Sequence, residues 1–219
     1  KSTVAMAIMQ YMGSNGGIKS GSITFKGQDL TTLSDNELRS IRGSEISMIY
    51  QEPFASLNPS LKISTQLMEV PLAHEDISKE EARKRAVQML TDVNLPDPER
   101  VMESYPHQLS GGQQQRVFMA RALAQESDIL LLDEPFAGVD AATERAIAGL
   151  LAGAREENKT VVVVHHDLET AAEFFDRVVL LNRRVYAYGP PREVLDPDLL
   201  SEVYGGKLRA VSWAEEDKA

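Results

Sequence analysis

Between residues 109 and 140 the chain makes two abrupt transitions, about one helix apart. Leu109-Ser110-Gly111-Gly112-Gln113 opens a polar, helix-forming run that continues to Leu123. Two glycines there let backbone approach an anion closely. A helix starting at this point aims its unpaired N–H groups, and the positive end of its dipole, at whatever lies in front of Gly111, which favours a phosphate. Ser110 adds a hydroxyl donor. Further on, Ile129-Leu130-Leu131-Leu132 stops at Asp133-Glu134-Pro135. Four apolar residues ending in two carboxylates read as a parallel strand buried on both faces, with chemistry at its C-terminal end.

The composition is that of an ordinary soluble protein. Its 219 residues are enough for one large domain, or one domain with an inserted lobe, and 42% apolar with 26% charged residues is typical of a globular core and surface. No apolar run approaches the ~18 residues of a membrane span, and no signal peptide is expected. The absence of cysteine excludes disulfides and thiolate metal sites. A net charge of −10 argues against a nucleic-acid-binding surface, though not against a local nucleotide site.

The two motifs together resemble the signature and Walker B motifs of ABC-type ATPases, the nucleotide-binding subunits of ABC transporters, and the resemblance runs over essentially the whole chain. It implies an α/β fold: a P-loop NTPase core of RecA type with a mostly parallel sheet, a helical insert, and part of an antiparallel β lobe. A single, incomplete ABC ATPase domain is expected over 1–219, with residues 1–60 and 116–219 as core and β lobe and 61–115 as the helical signature subdomain. The chain opens on Lys1-Ser2-Thr3, which resembles the end of a P-loop without its Gly-x-x-x-x-Gly portion. The expectation is a chain truncated at that loop and inactive as it stands. On the resemblance, Lys1 contacts the β- and γ-phosphates, Ser2 ligands Mg2+, and Thr3 belongs to the same nucleotide site.

Along the chain, residues 4–12 read as an apolar helix whose Met6, Met9 and Met12 suit core packing better than metal binding. Residues 21–30 alternate between glycines and read as one strand of the antiparallel lobe. Ser34 with Glu37 forms a capping box for a short helix ending near Arg42, and residues 46–50 form a strand. Gln51-Glu52-Pro53 reads by itself as a surface glutamine before a turn. In the family it resembles the Q-loop, whose glutamine reaches Mg2+ and the attacking water. The continuation through Pro59 resembles the oligopeptide and dipeptide importers. Residues 61–108 form a helical insert, with a capping box at Ser78 and Glu81, a helix ending near Asn94 before Pro96 and Pro98, and a new turn around Glu99. In the family this lobe receives the membrane subunits; the alternative reading is structural filling.

Asp140 reads as the N-cap of a helix over 141–156, and with Ala137, Gly138 and Val139 it resembles the D-loop that crosses the dimer interface; both roles can coexist. Residues 160–164 form a β-branched strand ending at His165-His166-Asp167. As strand residues, the two histidines would point to opposite faces and could not easily share an ion. His166 matches the family's switch histidine, which bonds the γ-phosphate. Residues 177–181 and 185–188 read as strands, residues 192–195 and 199–204 as small helices, and the acidic end after Trp213 as disordered. Residues 133–195 resemble the manganese, zinc and iron importers, so the two halves point to different substrates. A recombination or an assembly join near residues 111–116 would account for that.

The resemblance implies ATP hydrolysis in a head-to-tail dimer. One ATP lies between Lys1, Ser2 and Asp133 of one subunit and Ser110, Gly111, Gly112 and Gln113 of the other, with Asp140 nearby. Asp133 and Gln51 hold Mg2+, Glu134 activates water, and His166 and the signature amides stabilise the moving phosphoryl charge. The implied partners are a second ABC ATPase subunit, transmembrane permease subunits and, indirectly, a substrate-binding protein, with no nucleic acid. The implied location is the cytoplasmic face of the cell membrane, reached through the permease. A peptide-type importer is favoured over a metal importer. A non-transport ABC ATPase and a non-catalytic packing subunit are the remaining alternatives.

Overall fold

The computed structural model describes residues 2–13, 16–49, 57–136 and 139–205. They fall into two compact units, Lys1–Val164 and His165–Ala219.

The first unit is organised by a parallel sheet of order β3-β4-β5, formed by β3 (Ile46–Ile49), β4 (Ile129–Asp133) and β5 (Thr160–Val164). The register pairs Ile46 with Ile129 and Asp133 with Val164. Leu130, Leu131 and Leu132 are only 2%, 1% and 1% exposed, so consecutive residues are buried on opposite faces of the sheet. That is why this strand is an unbroken apolar run rather than an alternating one.

Helix α1 (Ser2–Ile8) packs against β4, and its Ala5, with Met9 just beyond its end, joins Leu30, Leu38, Ile41, Ile46 and Leu131 in one core. It stops four residues before the expected end. Gln10 adopts φ +52°, and Arg42 occupies the freed carbonyls, with Nε donating to Met9 O at 2.9 Å and Nη2 to Gln10 O at 3.1 Å. The single strand expected over residues 21–30 is instead a two-residue hairpin, β1 (Thr24–Phe25) against β2 (Gln28–Asp29), followed by a 3-10 turn, Leu30–Thr32. Lys26 and Gly27 at the tip both have positive φ, +48° and +80°, as a type I′ turn requires. Lys26 also reaches Glu45 and Asp128, the residues preceding β3 and β4. The Ser34–Glu37 capping box is present in full at the start of α2 (Asp35–Ile41).

The helical insert consists of α3 (Ile63–His74), α4 (Lys79–Asp92) and α5 (Pro98–Glu103), which pack on one another; α3 and α4 also pack on α6 (Gly111–Leu123). Ser78 accepts from Glu81 N at 3.1 Å; this is the forward half of the expected capping box. The third helix, α5, starts at Pro98, one residue before the expected turn, with Asp97 as its N-cap. Helix α6 then packs on β3, and α7 (Ala141–Glu156) packs on β5.

The second unit contains α8 (Leu168–Phe174), the antiparallel pair β6 (Val178–Asn182) and β7 (Arg184–Gly189), α9 (Pro191–Val194) and α10 (Pro197–Tyr204). Its core is Leu180, Val194, Leu195, Leu200 and Val203. Asn182 Nδ2 donates to Val203 O at 2.9 Å and Tyr204 Oη to Leu181 O at 3.2 Å, tying α10 to the hairpin.

Candidate nucleotide site

Three elements of the first unit carry the expected site residues. The central one is the end of β4. Asp133 is 4% exposed, and its Oδ1 is buried with no hydrogen-bond partner among the described residues. A buried carboxylate oxygen is costly unless something neutralises or solvates it. The donor set expected beside it is hard oxygen: the Ser2 hydroxyl, the Gln51 carbonyl and water. Such a set suits Mg2+, which prefers oxygen ligands and keeps several waters.

Glu134 follows at φ +52°, left-handed backbone that L-residues with side chains rarely adopt. Its N–H donates to Val164 O at 2.9 Å, so the chain leaves the sheet through a sharp, anchored turn. Pro135 is buried and has no N–H, leaving its carbonyl as its one backbone polar group. That carbonyl accepts from Gln115 Nε2 at 3.2 Å.

The second element is the start of α6. Ser110 caps it with a reciprocal box: Ser110 Oγ accepts from Gln113 N at 3.3 Å, while Gln113 Oε1 accepts from Ser110 N at 2.9 Å. This S-x-x-Q pattern was visible in the sequence as a capping box and passed over for its resemblance to the signature motif. Capping uses the acceptor side of the hydroxyl and leaves its proton available to donate. Gly111 is exposed and Gly112 half-buried. A Cβ built on Gly112 would meet no atom of the described residues within 4 Å, so packing among them does not require glycine there. Gln114 Nε2 donates to Pro106 O at 2.9 Å and Leu109 O at 3.0 Å, holding the preceding loop against the helix.

The third element is the start of α1, where Ser2 is half-buried and Thr3 exposed. Lys1 and Gln51 lie outside the described residues, as do Glu52, Pro53, Ala137, Gly138 and the acidic end. Asp140 caps α7, accepting from Thr143 N at 2.9 Å and from Thr143 Oγ1 at 3.1 Å.

The His pair belongs to the second unit. As expected, β5 ends at Val164 with the histidines just after it, and the two rings lie 5.3 Å apart at 43° in the segment leading to α8. The alternation argument that kept them on opposite faces therefore does not apply. His166 is exposed, and Asp167 caps α8 through Thr170 N at 2.8 Å.

Gln115 was missed from sequence. It stood out only as one of three glutamines in a polar run, yet it is 8% exposed and is the one bonded to the carboxylate turn. Its place in the second turn of α6, on the same face as the buried Phe118 and Met119, was the available signal.

Comparison with known proteins bears on these three elements. The ABC transporter family matches residues 1–137. A putative peptide import ATP-binding protein of Brucella abortus is 38% identical over 219 residues, 99% of this chain and 66% of its own length. The oligopeptide transport ATP-binding protein OppD of Bacillus subtilis is 41% identical over 83% of this chain and 51% of its own length, and that of Escherichia coli 39% over 89% and 58%. The chain thus spans between about half and two thirds of these relatives. Among solved structures, a dimeric ATP-binding cassette in a post-hydrolysis state, bound to ADP and Pi, superposes with a TM-score of 0.76 at 32% identity, covering 87% of this chain and 80% of that one.

Proposed function

Because this chain belongs to the ABC transporter family, we propose that it binds and hydrolyses ATP to energise an importer, and that the imported substrate is of peptide type. The observation that carries the reading is the end of β4, where a buried carboxylate oxygen of Asp133 has no partner among the described residues and Glu134 is held next to it in an anchored turn. Asp133, Ser2 and Gln51 would hold Mg2+, which when bound supplies charge neutralisation to the phosphates. Glu134 accepts the proton of the attacking water. Ser110 and the first amides of α6 would donate to the γ-phosphate of the nucleotide held by the other subunit, while Lys1 and His166 would add positive or hydrogen-bonding character to the γ-phosphate of the nucleotide held by their own subunit. Asp140 lies in the segment that would cross between subunits. The dimeric state of the related cassette supports this shared-site reading.

The peptide assignment is supported by the relatives. The Brucella protein aligns with both halves of the chain, including residues 133–195, and is described as a peptide importer component. No helix among the described residues is long and apolar enough to cross a membrane, so membrane association on the cytoplasmic face would come through permease subunits. The helical insert is the docking surface we assign to them. Calorimetric ATP binding and phosphate release test the enzymatic part. Site-specific cross-linking from residues 57–69 tests the partner: capture of a peptide-type permease supports the assignment, and exclusive capture of a metal-importer permease overturns it.

A further inference from the structure

We infer that Gln115 is a positioning residue for Glu134, acting through the carbonyl of Pro135; this rests on the ATPase reading above. The turn that carries Glu134 has two anchors from distant parts of the first unit. On one side the Glu134 N–H is held by Val164 O, the last carbonyl of β5. On the other, the Pro135 carbonyl is held by the Gln115 carboxamide at 3.2 Å, across a sequence separation of 20. Both Gln115 and Pro135 are buried. Pro135 offers no N–H, so its carbonyl is the one group through which its backbone can be hydrogen-bonded.

The left-handed φ of Glu134 is a conformation that persists only where the surroundings over-determine it. The β5 carbonyl fixes the residue on its N-terminal side, and Gln115 fixes the peptide beyond it. Glu134 is thereby held by backbone bonds on both sides. Gln115 also lies on α6, one turn from Gly111 and Gly112. The helix whose start would meet one nucleotide therefore orients the base that would act on another. The signature segment and the carboxylate turn are mechanically one body. Loss of the donor leaves the Pro135 carbonyl buried without a partner, and the turn has reason to relax. A base displaced by even about 1 Å loses rate steeply, while nucleotide binding, carried by other groups, is retained.

The test uses the full-length protein with Gln115→Met, which keeps length and volume and removes the donor. We expect kcat for ATP to fall at least about tenfold with KM within about twofold, and exchange of the Glu134 amide hydrogen, followed by mass spectrometry or NMR, to speed up at least about tenfold. Unchanged kcat, or unchanged Glu134 exchange, overturns the inference. If the Met variant does not melt cooperatively, Gln115→Glu decides. Its ionised carboxylate cannot donate, but its protonated form can. Its kcat relative to wild type should therefore rise as the pH falls; a flat ratio overturns the inference. A wild-type protein that binds no ATP refutes the ATPase reading instead, and leaves the exchange measurement to judge Gln115.

Discussion

The backbone N–H of Glu134 reaches the carbonyl of Val164 at 2.9 Å, so the last residue of β5 holds the first residue beyond β4. Asp133 pairs with Val164 in the ladder, and the next step of the chain is already out of the sheet. Asp133 and Glu134, adjacent in sequence, are thereby given different surroundings: the first is buried at the strand end and the second is half-buried on a left-handed turn. That difference suits one carboxylate to a cation and the other to a water.

Glu134→Gln keeps the shape of the side chain and removes its ability to take a proton. Phosphate release is expected to fall roughly 100-fold or more, with ATP affinity by calorimetry changed little. Near-normal turnover would remove Glu134 from the role of base.

Ser47 and Ser127 share a hydrogen bond at 2.7 Å between β3 and the approach to β4, and both are buried, at 3% and 1% exposure. Ser127→Ala strands the Ser47 hydroxyl and should cost about 1–3 kcal/mol by urea denaturation. Adding Ser47→Ala should cost less than a second independent loss, because the orphaned group is removed with it. Additive losses would show that the pair does not act as one.

Gln66 is buried on α3. It accepts from Asn58 N at 2.8 Å and donates to Asn58 O and Leu61 O, each at 3.0 Å. One side chain thus holds both ends of the loop that leads into the insert. Gln66→Met should cost roughly 2 kcal/mol and make cleavage between residues 57 and 62 faster in limited proteolysis. Wild-type cleavage kinetics would count against a clamping role.

Asp167 accepts from the backbone N–H of Thr170, and this bond is the main cause holding its carboxyl below the ordinary value of 3.8, with burial opposing. A pKa lowered in the folded state gives stability that is present above the unfolded value and lost as pH falls through the folded one. Wild-type α8 should therefore lose protection of the Thr170 amide in acid, below about pH 4. Asp167→Asn, which still offers a capping oxygen, should show little change over the same range. A wild-type protection that stays flat would refute the linkage.

Much of the site was legible in sequence because its signals are local. The stop of β4 at Asp133, the glycines after Ser110 and the cap at Asp140 each depend on a few neighbouring residues, whose backbone demands are set by sterics and hydrogen-bonding capacity. The capping boxes at Ser34 and Ser110 close within three residues for the same reason. The hairpin at Lys26-Gly27 was misread because alternation alone cannot reveal a reversal carried by a non-glycine residue at positive φ. α1 was drawn too long because what ends it, Arg42, lies more than thirty residues away. The strand over 160–164 ends where it was expected to, so strand alternation does not describe the histidines that follow it.

What the sequence by itself determined, then, is the set of elements and the chemical character of their ends, since these follow from periodicity, caps and the abrupt change from leucine to carboxylate. Only the tertiary structure decided which of three consecutive glutamines is buried against Pro135, which carbonyl receives the Glu134 amide, and that Asp133 keeps an oxygen without a partner among the described residues. Those relationships join residues 20 to 30 positions apart through packing, and burial, which gives each polar contact its weight, exists only once the sheet and helices have closed over them.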